Sequence, residues 1–363
     1  MKRRTFLKQG VGLSAGMLVA RLPRLASAAT ADARWRTFEV VTRVEPTAPS
    51  GVTHAWVPVP LMTDTDYFKR GGDTWRGNTA STKLHRDDRY DAGMIDAEWP
   101  ASEAAPMLEI TSRVSTRDRA VDLSKPPAAS VKEDPAVLKK YTEPSQLIPT
   151  DGIVLDTAQG IVKGERTDVG KARAIYEWIV DNTFRDPKVK GCGLGDIRTM
   201  LETRYFGGKC ADLNALYVGL ARSIGLPARD VYGVRVADSA DFKSLGKSGD
   251  ISKAQHCRAE VYLTGYGWVP VDPADVRKVV LEEKGATIPL TDPQVVKARA
   301  KLFGAWEMNW LAYNYAHDVK LPGSDGKPVP FLMYPQAETA NERKDSLDPT
   351  TFKYTITSKE LTG

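Results

Sequence analysis

The sequence predicts an α+β protein, and three observations carry that reading. Residues 35–44 and 107–114 alternate apolar and polar side chains, as half-buried strands do. Near Ile153 the period changes to helical spacing, and after Pro227 it returns to strands. Helices followed by antiparallel strands are the α+β order. With 363 residues, 42% apolar and 27% charged, the chain has an ordinary globular composition and can bury its core without disulfide staples.

Residues 1–28 are read as an export leader. Lys2, Arg3, Arg4 and Lys8 form a charged start, an apolar stretch covers 11–20, and Ala26-Ser27-Ala28 offers small residues for cleavage. The apolar run is about half the ~20 residues a membrane span needs. Arg3-Arg4-Thr5-Phe6-Leu7-Lys8 resembles the twin-arginine export signal. It implies the twin-arginine export machinery as a partner, cleavage near Ala28, a periplasmic mature protein and no stable membrane span afterwards. Gly12-Leu13-Ser14-Ala15-Gly16 fits a nucleophile-elbow pattern, but that motif needs a strand–turn–helix inside a folded core, not a segment that is removed.

The leader also distorts the charge. Of 51 basic residues six lie in it, with no acid, leaving 45 against 46 acidic residues and a net of −1. A nucleic-acid partner loses its compositional support.

The mature chain divides into an N-terminal antiparallel β domain over 29–123, a linker over 124–149, a catalytic domain over 150–285 and an extension over 286–363. In the β domain, 52–59 is a further strand closed by prolines. The linker is Pro-, Lys- and Ser-containing, with one short helix at 135–141. In the catalytic domain Asp168 can cap a helix whose apolar face is Val169, Ala172, Ile175, Tyr176, Ile179 and Val180. A shorter helix starts at Asp196. A third follows Gly207-Gly208, bears Cys210, and ends at Gly225 with Pro227 beyond. Strands are expected at 230–236, 256–263, 268–271 and 276–281, and a last one at 352–356. In the extension Trp306, Trp310 and Tyr313 recur at helical steps and are read as a stripe docking the tail, with sugar stacking as the alternative.

The chemistry is narrowed by scarcity: the chain has three cysteines and four histidines. No C-x-x-C, H-E-x-x-H or acidic calcium loop occurs, so no metal ligand set is recognisable and no cofactor is implied. Cys210 stands at the first turn of a helix, where unpaired N–H groups and the positive dipole end favour a thiolate. A buried core thiol is the commonest fate of a free cysteine, so on this residue alone the two readings stand about even. His256 opens a strand that turns through Gly265-Tyr266-Gly267 and returns to Asp272-Pro273. His256 and Asp272 are 16 apart, and a three-residue loop puts both on one face of the hairpin. A thiol, an imidazole and a carboxylate orienting it are the parts of a generalised triad.

Three separated motifs carry a more specific signal. Gly207-Gly208-Lys209-Cys210-Ala211-Asp212, then Ala221 to Arg229, then His256…Glu260-Val261-Tyr262-Leu263…Gly267-Trp268-Val269-Pro270-Val271-Asp272-Pro273 together resemble the bacterial transglutaminase-like superfamily of papain-type thiol enzymes. The resemblance covers roughly 153–280. It implies a papain-like core with the cysteine-bearing helix packed on an antiparallel sheet. Cys210 would be the nucleophile, His256 the general base and acid, and Asp272 the orienter. Tyr205 is the candidate second oxyanion donor beside the Cys210 N–H, with a packing role as the alternative. Arg258 stands where many members have an aromatic residue and is expected to make a more open, polar cleft wall. If Cys210 stays free, Cys192 and Cys257 are the pair left for a disulfide in an oxidising compartment, with two inert thiols as the alternative.

The function expected is thiol-dependent acyl transfer on a peptide or protein substrate, cell-wall peptide included, ending in hydrolysis of a peptide or amide bond. The alternatives are amine transfer, as in a cross-linking transglutaminase, and a non-catalytic binding or assembly module on the same fold.

Overall fold

The computed structural model describes residues 34–128, 131–340 and 342–361, so the leader expected over 1–28 lies outside the described residues. Two five-stranded antiparallel sheets face each other at the N-terminal end. In the first, Arg36–Pro46 is flanked by Leu108–Thr116 and by Phe352–Leu361, with Thr42 opposite both Ile110 and Ile356. In the second, Thr53–Pro58 lies between Gly93–Trp99 and Gln336–Thr339. The two ends of the chain therefore share both sheets. Val44, Val57, Ile95, Trp99, Leu108, Ile110 and Phe352 fill the space between them.

The sheet that matters for chemistry has four antiparallel strands in the order Gly267–Val271, Gln255–Leu263, Ala228–Arg235, Trp310–Asn314. Every residue of Gln255–Leu263 is buried, because both faces of this sheet are covered. Helix Cys210–Ser223 packs on one face, placing Leu213, Leu216 and Leu220 in one cluster with Cys257, Ala259 and Val261. On the other face Trp306, Trp310, Val231 and Val234 join Phe38, Val40 and Ile356 of the first β sheet. Thirteen of the helix's 14 residues are buried, since the sheet and neighbouring helices enclose it on all sides.

Several expectations hold closely. Helix Asp168–Asn182 buries Ala172, Ile175, Tyr176, Ile179 and Val180, although Thr167 rather than Asp168 accepts the capping bond, from the Gly170 N–H. Gly225, at φ +83°, takes the left-handed turn after the Cys210 helix. Two expectations fail. The segment expected as a strand at 276–281 is the helix Pro273–Glu282. The Asp272 carboxylate accepts the Asp275 N–H at 3.0 Å, proline takes the first helical position, and Val276, Val279 and Val280 fall on one face. Trp306, Trp310 and Tyr313 lie on strands, Ala305–Trp306 and Trp310–Asn314, and are buried there; their helical spacing is coincidental.

Candidate active site

The backbone before Cys210 is shaped by glycine. Gly207–Gly208 pairs in parallel with Phe184–Arg185, and a Cβ on Gly208 would stand 2.6 Å from the Asp212 Cβ. Asp212, in the first turn of the helix, ties this entry together. Its carboxylate accepts the Lys209 N–H at 2.9 Å, the Leu194 N–H at 3.0 Å and the Gly195 N–H at 2.9 Å. The loop bearing Cys192 is thereby fixed against the helix start, where the Ala211 N–H donates to the Cys192 carbonyl at 2.9 Å. Gly193, at φ +91°, leaves room that a side chain would take from the Asp212 carboxylate.

His256 reaches the site from the hairpin. Leu263 pairs with Gly267 across a three-residue turn, 264–266, so Asp272 follows the Ala259–Val271 pair on the face that carries His256. Nε2 of His256 lies 2.7 Å from Asp272 Oδ2, and the Trp310 indole N–H holds the His256 carbonyl at 2.9 Å. Asn214, on the Cys210 helix, donates to the Cys257 carbonyl at 2.8 Å and to Asp272 Oδ1 at 3.3 Å. Since Nε2 is occupied by carboxylate, Nδ1 is the nitrogen left for the thiol. Cys210 and His256 are each 3% exposed.

The electrostatics follow from that enclosure. Hydrogen bonds from the Cys192 and Cys257 thiols, and the His256 imidazolium, hold the Cys210 thiol well below its usual range against the effect of burial. Burial and the Arg235 guanidinium push the imidazolium of His256 down, but Asp275 and Asp272 outweigh them and hold it at about 10. Three acidic groups (Cys210, Asp272, Asp275) and three basic ones (His256, Arg235, Arg258) meet out of water. Its formal charges sum to zero with a thiolate–imidazolium pair as with a thiol–imidazole pair, the condition for burying charge at tolerable cost.

His256, Asp272 and Asp275 offer ligand atoms within 4.8 Å of one another. Arg235 stands 2.6 Å from Asp275 and Arg258 3.7 Å from Asp272, so both carboxylates already face a cation. A divalent ion would overcharge this pocket, and the donor set does not fit one.

Cys210, His256 and Asp272 are thus brought together. Tyr205 is not joined to them: it is 53% exposed, its hydroxyl donates to Asp186 at 2.7 Å, and its ring meets Phe184. Arg258 does not line an open cleft. It is buried between Trp306 and Trp310, with its guanidinium carbon 4.8 Å from the Trp310 ring centre. Alternation places Arg258 on the covered face of the strand, where the indoles and two carboxylates meet it. Two further carboxylates escaped the sequence reading: Asp275, a turn into a segment read as strand, and Glu260, taken only as part of a motif. Capping by Asp272-Pro273 was the available signal for Asp275.

All three cysteines are free and buried, with the Cys192 thiol also 3.3 Å from the Gln255 carbonyl. The disulfide between Cys192 and Cys257 is absent, because Cys210 lies against both thiols. Thiol titration of the unfolded, unreduced protein should therefore count three free thiols; a count of one would restore the bridge.

Comparison with known proteins agrees with this fold. Residues 155–273 match the family model of the transglutaminase-like superfamily, a span that contains Cys210, His256 and Asp272. An uncharacterized protein of Haemophilus influenzae is 34% identical over 343 residues, covering 90% of each chain. A crystal structure from Cytophaga hutchinsonii, of a protein provisionally named a cysteine protease, superposes with a TM-score of 0.58 at 13% identity, covering 91% of this chain and 92% of that one. The periplasmic domain of TgpA from Pseudomonas aeruginosa aligns at a TM-score of 0.35 and 14% identity, over 72% of this chain and 92% of that domain. With the helix-borne cysteine, the antiparallel sheet and the matched motifs in agreement, the chain belongs to the transglutaminase-like superfamily.

Proposed function

We propose that the protein is a thiol-dependent acyl-transfer enzyme that hydrolyses a peptide or amide bond. The observation that carries this reading is the neutral buried cluster in which Cys210 meets His256 and His256 meets Asp272. A scaffold has no use for a thiol held as thiolate beside a charged imidazole. In the reaction the Cys210 thiolate attacks the carbonyl carbon, and the developing oxyanion is met by the N–H of Cys210 at the helix N-terminus. His256 gives its proton to the departing amine, which leaves as the C–N bond breaks and a thioester remains. Neutral His256 then takes a proton from water, hydroxide adds to the thioester, and the carboxylic acid leaves as the thiolate re-forms.

Water is favoured as acceptor by the enclosure of both reacting groups. A lysine side chain would need a channel of its own, whereas water needs none beyond the opening the substrate makes. The setting of this chemistry is the periplasm, reached through the twin-arginine leader. Among the described residues no helix is long and apolar enough to cross a membrane.

The test incubates purified mature protein with a peptide library, with and without millimolar primary amine, followed by mass spectrometry. Hydrolysed fragments unchanged by the amine are expected. Amine-adducted acyl products in the majority would make the enzyme a transferase, and no Cys210-dependent product at all would remove the enzyme reading.

A further inference from the structure

His256 has more carboxylate around it than a triad needs. Asp272 Oδ2 takes the Nε2–H at 2.7 Å, while Asp272 Oδ1 accepts from the Asp275 N–H and from Asn214. Asp275 Oδ2 stands 3.3 Å from the same Nε2 and has no hydrogen-bond partner of its own. Its Oδ1 accepts from Arg235 Nη2 at 2.6 Å, and Arg235 is anchored in turn on the Leu245 carbonyl at 2.6 Å. Asp275 is 1% exposed. An aspartate in the first turn of a helix ordinarily stays in water near the dipole's positive end. Here the cap is already provided by Asp272, and the Asp275 side chain turns inward.

We infer that Asp275 is a second positioning residue for His256, standing beside Asp272 at the same ring nitrogen and sharing the imidazolium's charge with it. This rests on the acyl-transfer reading of the site. An arginine partner alone would account for one oxygen of Asp275. It does not account for the other, left without a hydrogen bond and aimed at a ring nitrogen. The division of labour follows from the geometry. Asp272 makes the directional bond that fixes tautomer and ring plane. Asp275, too far for an equal bond, acts through charge at short range in a dry site. The ionisable groups facing the ring are Cys210 from its helix, Arg235 from the neighbouring strand, Arg258 from its own, and Asp272 and Asp275 from the cap and first turn of the helix Pro273–Glu282. Among these the aspartates are the only groups that favour imidazolium while leaving the thiol free to react.

The experiment compares wild type, Asp275→Asn and Asp272→Asn by the pH dependence of Cys210 alkylation with iodoacetamide and by NMR titration of the labelled histidine ring. Neither readout needs turnover, so a failed enzyme reading would not obscure the result. In Asp275→Asn the His256 titration should move down by at least about one pH unit, because one of two stabilising negative charges is gone. The alkylation plateau should end correspondingly earlier on the alkaline side. A variant with an unmoved titration and only a lowered melting point would make Asp275 a structural partner of Arg235 and overturn the inference. If Asp275→Asn does not fold, the double variant Arg235→Gln/Asp275→Asn removes both charges of the pair. Its reference is Arg235→Gln alone, because the Arg235 cation itself pushes the imidazolium down; a downward shift from that reference supports the role, and an unmoved titration refutes it.

Discussion

Alanine at position 210 abolishes turnover, with kcat/KM falling by about 10⁴-fold or more, and leaves the fold standing. The loss is large because the thiolate is the atom that becomes bonded to substrate, and no neighbour can take its place: the Cys192 and Cys257 thiols are both held well above the usual thiol range and stay protonated. For Cys192 the hydrogen bond it gives Cys210 is the leading cause, and for Cys257 it is burial. Stability should change by only about 1 kcal/mol, since His256 can give up its proton when the thiolate is lost and keep the buried cluster neutral. The wild-type pH profile has a defined sign. Cys210 is lowered, so the thiolate persists as pH falls below the usual thiol range; His256 is raised to about 10, so the imidazolium survives as pH rises through neutrality. Activity should be lost on the alkaline side only as pH passes about 10. Circular dichroism, a denaturation midpoint and a peptide assay check all parts. A Cys210→Ala protein with more than about one hundredth of normal activity would place the nucleophile elsewhere.

The juxtaposition of Cys210, His256 and Asp272 was legible because each is positioned by local rules. Glycines before a helix, an odd-length hairpin turn and an Asp-Pro cap each leave marks in the sequence, and the parity between His256 and Asp272 follows from the pleat alone. Arg258 was misread for the opposite reason. An arginine in a strand ordinarily faces solvent, and only the covering of that face by Trp306 and Trp310, about fifty residues later, puts it inside. Asp275 was lost with its helix. Val276 and Val279–Val280 are strand-forming residues, and the cap and tertiary packing overrode their propensity.

The β sheets show the same division. Strands Arg36–Pro46 and Leu108–Thr116 announce themselves by alternation, with every second residue buried from Phe38 to Pro46 and from Leu108 to Thr116. Phe68–Gly77 and Ser81–Arg86 do not, since they are outer strands whose side chains are mostly exposed on both faces. No local pattern tells that Phe352–Leu361 runs beside the first strand. That pairing depends on closing a loop of some three hundred residues, a property of the packed whole.

Replacing Glu260 with alanine should cost about 3–5 kcal/mol, a large share of the stability of a folded domain. Glu260 is fully buried on the strand that carries His256. Arg229, on the neighbouring strand, gives it a hydrogen bond of 2.6 Å, and Arg119, from the N-terminal part of the chain, meets its other oxygen. Each guanidinium is committed further. Arg229 lies 4.0 Å from the Trp268 ring centre and 3.9 Å from that of Tyr315, while Arg119 lies 4.4 Å from the ring centre of Tyr67. Removing the carboxylate leaves two caged cations facing each other out of water, whereas removing Arg119 alone leaves the Arg229–Glu260 pair intact. Arg119→Met should therefore cost markedly less than Glu260→Ala. The pH dependence has a sign as well. Burial opposes the Glu260 charge, but Arg229 and Arg119 outweigh it and hold the carboxyl below its ordinary range, so its contribution is full above the ordinary glutamate value of 4.5. That contribution is lost as pH falls below 4.5 toward the depressed folded value. Denaturant midpoints of the two variants, measured at pH 7 and again near pH 4, check both claims. Equal losses in the two variants, or a Glu260→Ala protein as stable as wild type, would mean that packing around the rings, and not this ion pair, joins the N-terminal sheets to the His256 strand.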